Sequence, residues 1–569
     1  MYKRLSKMGS SSGGKKKYVN FRNRQRASLS FFIVVMFFGV FGIIVFTEIF
    51  FIDERGRAAG VIVRRGSLTI QHKQDKNSDY DDGFQSDDYI SIRVGAAMMN
   101  DDTLGALLIG GRPPVALPVI EHSAPSASKV YAEHFLPPYP ENSTLIEGGW
   151  QNVNNTRYKF FVFSAFYDER KGQRIIRVIG ATKTRGAERV WCRLWYKAGE
   201  FNSSAHVSIT VPAKIKVIRE NWNLKYSACF VMCPLTNKTI PAAVSIVART
   251  RDPPANLLAV INNHNETALG MASAGVSGPA QYKFGVCVKP LHFEYNRALQ
   301  IMEFIEFNRI LGVEHFTFYN HTIGSQVDCI LKDYIDKGLV TVLPWKLNMA
   351  SQKDIRTEGL FAALNDCLYR SMYKYSHLLL IDLDEYILPK YNDTLGQMMD
   401  YLSRRLKSRT HGSYSFQNAF FYLQWDDDDF VYNFEDPVAA NLVTLKKTRR
   451  KTKLHPHKQR SKYICRPEMT VEAGNHFVWE FIPGHGTLNV PADTAILHHY
   501  RICEFGGDDC IKASSTVDRT AYHFKDSLTG AVRAAYNRLT DKCALPELTM
   551  PSGKVLNKLM QFLKPSLER

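Results

Sequence analysis

Two carboxylates stand two positions apart, directly after a buried apolar run. Residues 378–381 are Leu, Leu, Leu and Ile, and Asp382, Leu383 and Asp384 follow them. Such a run predicts a strand of a parallel sheet. Because strand side chains alternate between faces, Asp382 and Asp384 are expected on one side, with Leu383 in the core. Buried acids need a neutralising cation, so the pair predicts a divalent-metal site for a phosphate-bearing substrate.

Alternating strands and helices lead into this run. Strands are predicted at 284–288, 315–319 and 339–343, and helices at 294–311, 327–337 and 359–374. This alternation predicts an α/β fold with a doubly wound parallel sheet, in which 378–381 is the fourth strand. Ligands bind at the carboxyl ends of strands in such sheets, which favours a metal site over a merely solvated strand end.

The net charge of +18 comes from two segments. Nine Lys and Arg residues lie in 1–26 and nine more in 445–462, and neither segment contains an acid. The rest of the chain is therefore balanced. Because nucleic-acid-binding proteins usually spread basic residues over a folded face, we expect no nucleic-acid partner.

The run 27–47 is uncharged, rich in Phe, Val and Ile, and 21 residues long. Roughly 20 apolar residues cross a bilayer as a helix. With basic residues only on its amino side, the positive-inside rule predicts a single-pass type II protein whose bulk lies outside the cytosol. A cleaved signal peptide is the alternative, but the run is long for one and shows no small-residue cleavage site.

Cysteines and glycosylation sequons fit an oxidising compartment. All ten cysteines and all seven N-x-S/T sequons lie beyond the apolar run. An even number of cysteines permits disulfides without fixing their pairs. No C-x-x-C occurs, so a zinc ribbon is not expected, and Cys229, Cys233, Cys503 and Cys510 are interpreted as structural.

These patterns divide the chain into six segments. They are a cytoplasmic basic tail (1–26), a transmembrane signal-anchor (27–52), a stem (53–150), a β-rich accessory domain (151–281), a catalytic domain (282–520) and a C-terminal extension (521–569). Period-two alternation predicts antiparallel strands in the accessory domain, at 158–166, 174–181, 190–196, 206–211 and 242–249. That small antiparallel β-domain is either a spacer or a surface that binds an acceptor or glycan.

Ordered motifs give the chain a resemblance to glycosyltransferase family 92. The motifs are FGVCVKPL (284–291), GVEHFTFYNH (312–321), NDCLYR (365–370), LLLIDLDEYILP (378–389), YICRPE (463–468), GNH (474–476) and LHHYR (497–501). Their order over residues 283–505 is far more specific than a lone D-x-D.

The resemblance implies an A-type, Rossmann-like glycosyltransferase fold and an inverting, metal-dependent enzyme of the Golgi membrane with a lumenal catalytic domain. Characterised relatives transfer galactose from UDP-galactose in β-1,4 linkage. The expected cofactor is a divalent metal, Mn2+ in the first instance, and the donor is a UDP-sugar. Expected partners are a glycan acceptor on a glycoprotein, such as an N-glycan, or on a glycolipid, the membrane, and a second copy of the chain in a homodimer.

Sugar transfer from a nucleotide leaves negative charge on the departing diphosphate, which a divalent cation neutralises. Asp384 is the expected direct ligand, and Asp382 either ligates the metal or holds the ribose. In the A-type fold a downstream histidine often completes the metal shell, and the family pattern favours His499 over His498. The alternative is a satisfied surface histidine pair. Glu385 either supports the ligands or orients the next loop.

Five further residues are donor-site candidates. Arg501 could bond a diphosphate oxygen through its planar guanidinium. Lys289 follows the first strand, and Asn365 and Asp366 lie in the helix before the acid strand, where helix capping or a solvated face would explain them equally well. Lys462 ends the basic segment beside YICRPE, and that segment is either a lid over the donor phosphates or a solvated loop.

An inverting transferase also needs a general base for the acceptor hydroxyl. The four acids 426–429 follow the apolar run 419–425. Asp427 and Asp428 are therefore candidates, together with Glu480, and Glu472 competes for the same role. A run of four acids is also typical of a solvated loop.

A rival from another class is a non-catalytic secretory-pathway or cell-surface glycan-binding protein on the same scaffold. The intact acid pair and the His499-Tyr500-Arg501 segment argue against it. A glycosidase fits less well, because its two carboxylates would face each other across a cleft rather than lie two positions apart on one strand.

Overall fold

The computed structural model describes residues 137–140, 145, 148–197, 206–264, 282–406, 411–503 and 510–550. These residues lie within one compact unit. The predicted tail (1–26), the predicted membrane segment (27–52) and nearly all of the predicted stem lie outside them. Across the described ranges, every helix is too short or too polar to cross a membrane.

The first part of the described chain, up to residue 264, forms a curled β-sheet. Its strands are β1 (Gln151–Asn152), β2 (Phe161–Asp168), β3 (Ile175–Lys183), β4 (Trp191–Lys197), β5 (His206–Pro212), β6 (Lys214–Val217), β7 (Tyr226–Pro234), β8 (Ala243–Val247) and β9 (Leu258–Ile261). The order is β5-β4-β8-β9-β2-β3-β7-β6, with β1 beside β2, and only the β2–β9 pairing is parallel. Because a disulfide joins Cys192 of β4 to Cys233 of β7, which stand apart in this order, the sheet must curve back on itself.

The α/β half begins with the predicted alternation. It comprises β10 (Phe284–Cys287), α1 (Ala298–Ile310), β11 (Val313–Asn320), α2 (Ser325–Asp336), β12 (Val340–Pro344), α3 (Leu360–Ser371) and β13 (His377–Leu380). The four strands are parallel neighbours in the order β12-β11-β10-β13. Their apolar side chains are buried beneath α1 and α2 on one face and beneath α3 on the other. The sequence prediction of a parallel sheet ending in the acid-bearing strand is confirmed for these elements.

The remaining elements make the sheet mixed rather than purely parallel. They are β14 (Glu385–Pro389), α4 (Leu395–Leu406), β15 (His411–Phe416), β16 (Asn418–Tyr422), α5 (Pro437–Asn441), α6 (Val443–Lys446), β17 (Arg449–Lys451), β18 (Lys462–Cys465), β19 (Thr470–Ala473), β20 (Val478–Phe481), β21 (Gly486–Asn489), β22 (Ala495–Arg501), β23 (Ser515–Val517) and α7 (Lys525–Leu539). Short 3-10 turns lie at Thr357–Gly359, Asp429–Phe434, Pro467–Met469 and Thr520–Phe524. Strand β18 runs antiparallel between β13 and β15.

A small second sheet positions the downstream part of the site. Strand β22 pairs antiparallel with β14 and parallel with β16. In this register His499 is the partner of Glu385, so the chain that follows the acid pair is brought back beside it. The LLLIDLDEYILP and LHHYR motifs, which are far apart in the sequence, therefore lie side by side through backbone pairing.

The curled sheet is not shown to be a separate domain. Phe166 of β2 and Phe230 of β7 share a buried core with α3, and their rings each lie 5.8 Å from the ring of Tyr369. The guanidinium of Arg177 lies 5.1 Å from the same ring. The predicted antiparallel strands exist, but their sheet packs directly on the α/β half.

The C-terminal helix belongs to the same core. Leu528 and Val532 of α7 are fully buried with the residues of α1, and a disulfide joins Cys329 of α2 to Cys543. The core thus continues past the boundary predicted at residue 520.

In the described residues, four disulfides form. Besides the two above, they are Cys287–Cys367, which joins β10 to α3, and Cys503–Cys510. Cys229 and Cys465 are buried free thiols. Cys233 is therefore a structural cysteine as predicted, whereas its neighbour Cys229 is unbonded.

Candidate active site

Asp382 lies just beyond β13, between two lysines. Its Oδ2 atom is 2.7 Å from the Lys289 ammonium and 2.9 Å from that of Lys462. Burial alone would raise the pKa of Asp382, but these two ammonium groups lower it below its ordinary range. The carboxylate is consequently held ionised.

Glu385 completes a charge-balanced cluster of two acids and two lysines. Its Oε2 atom accepts a hydrogen bond from the backbone N–H of Asp382 at 2.9 Å and lies 3.4 Å from Lys462 Nζ. Burial raises the pKa of Glu385, and Lys462 opposes this shift. Removal of one lysine would leave a buried carboxylate without its full compensation, which is costly.

Asp384 is separated from this cluster and pairs with His499. The two side chains approach to 3.3 Å between Asp384 Oδ2 and His499 Nε2. The backbone carbonyl of Asp384 accepts a hydrogen bond from Tyr500 N at 2.9 Å, which fixes the turn against β22. The other ring nitrogen of His499 lies 3.3 Å from Glu385 Oε1 and 3.1 Å from Asn418 Nδ2. These contacts orient the imidazole toward Asp384.

His498 plays a different part from its neighbour. Its side chain is fully buried and stacks on Phe421 with ring centroids 4.5 Å apart. Burial lowers its pKa to about 4. His499 is also buried, so the two histidines are not a surface pair. The choice of His499 as a metal ligand stays a prediction.

The three predicted metal ligands do not come together. Among the described residues, no group of three or more His, Cys, Asp or Glu side chains is arranged to hold a metal ion. Asp382 departs from the prediction because the chain leaves the strand before it, and its Oδ2 atom turns to the lysines. Its Oδ1 atom is buried and, within the described part of the chain, has no hydrogen-bond partner.

Asp384 and His499 still fit a divalent cation as a two-residue site. Hard cations such as Mg2+ and Mn2+ take carboxylate oxygens, and a site of one or two protein ligands fills its other positions with phosphate oxygens and water. A metal-binding histidine usually contacts a carboxylate through its other ring nitrogen, which fixes the orientation of the ring, and Glu385 makes this contact with His499. The donor set therefore suits a metal that is shared with a phosphorylated ligand.

A cavity of about 580 Å³ opens beside Asp384. It is lined by Tyr295, Arg297, Leu299, Gln300, Glu303, Leu383, Asp384, Leu423, Asp427, Asn441, Val443, Lys446, Lys447, Tyr500, Arg501 and Ile502. Four of these are cations, and three are acids: Glu303, Asp384 and Asp427. An anionic ligand beside Asp384 would have cations within the same cavity wall. Arg501 is buried, and its guanidinium lies 4.8 Å from the Phe420 ring. Asp384 and Arg501 line the same cavity, and the donor-binding role of Arg501 stays a prediction.

Asp427 is the predicted base that lines the cavity. Its Oδ1 atom is 2.7 Å from Lys447 Nζ, and its Oδ2 atom accepts a hydrogen bond from the Tyr432 hydroxyl at 2.8 Å. Burial would raise its pKa, but these two partners lower it. Asp427 is thus ionised and fixed in position.

The other two predicted bases are held elsewhere. Asp428 binds the Arg519 guanidinium at 2.6 Å and accepts from Phe430 N at the start of a 3-10 turn. Glu480, on β20, binds Lys216 and Arg219 of the curled sheet region, each at 2.6 Å. Both predictions are corrected on the same ground: these carboxylates serve ion pairs that hold loops and sheets together.

Asn365 and Asp366 are structural rather than donor-binding residues. Both are fully buried on α3. Asn365 exchanges hydrogen bonds with the backbone of Ala473, and Asp366 pairs with Arg370 at 3.0 Å and accepts from the Tyr319 hydroxyl at 2.7 Å. Lys289 and Lys462, by contrast, lie at the site, but they contact Asp382 within the protein.

The basic segment is fastened on both sides. Strand β17 pairs with β23, Asp428 N donates to Lys446 O at 2.7 Å, and Lys447 Nζ donates to Trp425 O at 2.5 Å. Its first residues form part of the cavity wall. These contacts hold residues 446–451 against the protein, whereas 452–461 form a loop in which Lys453 and Lys458 are exposed, as the alternative of a solvated loop predicts.

Helix α1 supplies a contribution that the sequence did not reveal. Glu303 is buried, lines the cavity and accepts from Val443 N, Thr444 N and the Thr444 hydroxyl at 2.7–3.0 Å. Burial raises its pKa. An acid among the apolar positions of a helix was the available signal.

Residues 282–544 match the sequence model of glycosyltransferase family 92. The family 92 match begins just before β10, ends after α7 and contains Lys289, Asp384, Asp427 and His499. It supports a glycosyltransferase. The curled sheet lies before the matched segment, and no curated protein matches the chain.

Several solved structures resemble part of the chain weakly. Glucosyl-3-phosphoglycerate synthase from Mycobacterium tuberculosis, in complex with phosphoglyceric acid, is 13% identical over 50% of this chain and 85% of its own, with a TM-score of 0.21. TarS 1–349 from S. aureus is 11% identical over 50% and 80%, with a TM-score of 0.21. UDP-glucose pyrophosphorylase complexed with UDP-glucose is 10% identical over 45% and 99%, with a TM-score of 0.19. Similarity at this level carries no functional conclusion.

Proposed function

We propose that the chain is a metal-dependent, inverting glycosyltransferase of family 92 that uses a UDP-sugar. One observation carries the proposal: within the family 92 match, Asp384 and His499 lie 3.3 Å apart, and Asp384 lines a cavity together with Arg501 and Lys446. The finer proposal is transfer of galactose from UDP-galactose in β-1,4 linkage to a glycan acceptor such as an N-glycan. Donor and linkage rest on the resemblance of the sequence motifs.

The cations of the cavity suit a departing diphosphate. Arg501, Lys446 and Arg297 line one space with Asp384, and positive groups stabilise the charge that develops on the leaving group. Asp384 and His499 would hold the divalent cation, for which we propose Mn2+. When bound, such an ion neutralises phosphate charge.

Asp427 is the proposed general base. Lys447 and Tyr432 hold its carboxylate in the wall that also contains Asp384. A base in that wall can accept the proton of the acceptor hydroxyl. Its lowered pKa keeps the carboxylate ionised but makes it a weaker base than an ordinary aspartate, so the proposed role rests on its position in the wall.

The proposed localisation rests on features of the sequence. The apolar run 27–47, the basic tail before it and the seven sequons after it support a type II Golgi membrane protein with a lumenal catalytic part. A homodimer and acceptors on glycoproteins or glycolipids belong to the same proposal.

The decisive experiment is a screen of UDP-sugars and glycan acceptors with the purified full-length chain, with and without EDTA. We expect transfer that EDTA abolishes and Mn2+ restores, and that Asp384→Ala removes. Asp526→Ala is the matched control, because the Asp526 carboxylate on α7 is 93% exposed. Transfer that ignores chelation would refute the metal site, and glycan binding without transfer would favour the non-catalytic alternative.

A further inference from the structure

The Gly474-Asn475-His476 motif lies in a hairpin that connects the curled sheet to the acid cluster. The hairpin consists of β19, β20 and the turn between them. On its outer side, Lys216 and Arg219 bind Glu480, and Arg219 N donates to Glu472 at 2.8 Å. The hairpin is therefore fastened to the curled sheet through charged contacts.

The inner side of the hairpin faces the acid cluster. Asn475 Oδ1 accepts a hydrogen bond from Lys462 Nζ at 3.0 Å, and the same ammonium lies 2.9 Å from Asp382 Oδ2. Lys462 and Asn475 are both buried. Because an ammonium has three donor positions, its direction is set by the acceptors around it.

Glu220, in the loop between β6 and β7, fixes the turn from the sheet side. Its Oε2 atom accepts from Asn475 N at 2.9 Å and from Trp479 Nε1 at 3.0 Å. The continuous path is therefore Glu220, Asn475, Lys462 and Asp382, with each contact at 3.0 Å or less.

Gly474 shows how closely the parts of this path approach one another. A Cβ atom at this position would lie 2.5 Å from both Glu220 Oε2 and Trp479 Nε1. The hydroxyl of Tyr463, next to Lys462, donates to Gly474 O at 2.8 Å. The turn is therefore tightly packed between the curled sheet and β18, with no room for a side chain at position 474.

We propose that Glu220 is a positioning residue for the active site: it holds Asn475, which directs Lys462 onto Asp382. The curled sheet then takes part in setting the active-site geometry, which neither a spacer nor an acceptor-binding domain would do. This inference rests on the proposed transferase function for its kinetic consequence, while its structural consequence stands independently.

The kinetic test compares Glu220→Ala with Glu220→Gln in the full-length chain. Glutamine retains an oxygen that can accept both N–H groups, whereas alanine removes it. We expect Glu220→Ala to lower kcat with the donor roughly tenfold, as losses of supporting residues do, with little change in acceptor KM. Glu220→Gln should recover most of the wild-type rate.

Glu188→Ala is the matched control. Glu188 accepts from Arg157 N and Tyr158 N, both at 2.8 Å, in the same half of the chain but away from the hairpin. Its kcat should equal that of wild type. Equal kinetics in Glu220→Ala and wild type, or a loss explained wholly by a lower folded fraction, would overturn the proposal.

Hydrogen exchange gives a readout that needs no activity. In Glu220→Ala we expect faster amide hydrogen exchange in two sets of peptides, those covering 474–479 and those covering 381–386. The second set responds because Asp382 N–H donates a hydrogen bond within the acid cluster. Faster exchange in the hairpin alone would overturn the proposal that Glu220 acts on Asp382 through Asn475 and Lys462. If exchange is faster in both regions but the wild-type chain transfers no sugar, the positioning role of Glu220 is supported and the proposed transferase function is refuted.

Discussion

The imidazole of His499 is held between two acids, with Nε2 3.3 Å from Asp384 and Nδ1 3.3 Å from Glu385. One acid faces the cavity and the other lies in the buried cluster with the two lysines. The histidine therefore joins the charge-balanced interior to the part of the site that a ligand can reach. The orientation of the Asp384 carboxylate therefore depends on His499 and, through it, on Glu385 and the two lysines of the buried cluster.

Neighbouring histidines should respond differently to substitution. His499→Ala should lower kcat by about tenfold or more and raise the Mn2+ concentration needed for half-maximal rate, because it removes a ligand and its support. His498→Ala should instead lower the free energy of unfolding by about 2 kcal/mol, since it vacates a packed site beside Phe421. Steady-state kinetics and thermal unfolding separate the two. Identical profiles would contradict the assigned roles.

Adjacent aspartates offer a matched test of the general base. Asp427→Asn preserves an acceptor for Tyr432 but cannot take a proton, so kcat should fall by about 10²–10⁴-fold with little change in KM. Asp428→Asn weakens the pair with Arg519 and should cost about 1–3 kcal/mol of stability while kcat per folded molecule is retained. A wild-type kcat in Asp427→Asn would exclude this base.

The ion pairs of Glu480 predict a pH dependence of stability. Burial would raise the pKa of Glu480, but Lys171 and Lys216 lower it to about 2, below its ordinary 4.5. The folded state therefore favours the carboxylate form, so the contribution is complete above pH 4.5 and is lost as the pH falls toward 2. Glu480→Gln should cost about 1 kcal/mol at pH 7, allowing for partial exposure.

Urea unfolding between pH 7 and pH 2.5 measures this contribution. The difference in unfolding free energy between wild type and Glu480→Gln should stay constant from pH 7 to about pH 5 and then shrink as the pH is lowered toward 2.5. Asp526→Asn, at a highly exposed carboxylate, serves as the control. A difference that stays constant with pH would show that the ion pairs make no such contribution.

Two glycines should respond with opposite signs to alanine. Gly474→Ala places a methyl group 2.5 Å from Glu220 and Trp479, so the melting temperature should fall by several degrees, a loss of about 1–3 kcal/mol. At Gly530, in α7, the position that a methyl group would take has no other atom within 4 Å, so Gly530→Ala should gain about 0.5–1 kcal/mol of helix stability. Calorimetry checks both. A neutral Gly474→Ala would mean that the hairpin can shift away.

Much of the α/β half was predictable because its signals are local. Strands β10 to β13 are short apolar runs between amphipathic helices, and their alternation determines a parallel order. The antiparallel insertion of β18 was not predictable, since its pairing with β13 and β15 depends on contacts across many residues. Sequence periodicity contains no information on such partners.

The site was predictable in its residue types more than in its geometry. The spacing of Asp382 and Asp384 implied two ligands on one face, but a turn after β13 sends Asp382 toward two lysines. Likewise, Asp427 differs from Asp428 and Glu480 only through the partners that surround each carboxylate. Those partners come from distant segments, and only the folded chain identifies them.

The disulfide between Cys329 and Cys543 spans 214 residues, and α7, which ends shortly before Cys543, completes the buried surface around α1. During synthesis α1 therefore emerges long before the helix that covers it. Its apolar side must remain open until nearly the whole catalytic half has been made, a situation that slows folding and exposes aggregation-prone intermediates. A chain shortened before α7 would leave that face of α1 uncovered and would lack part of the scaffold under the active site.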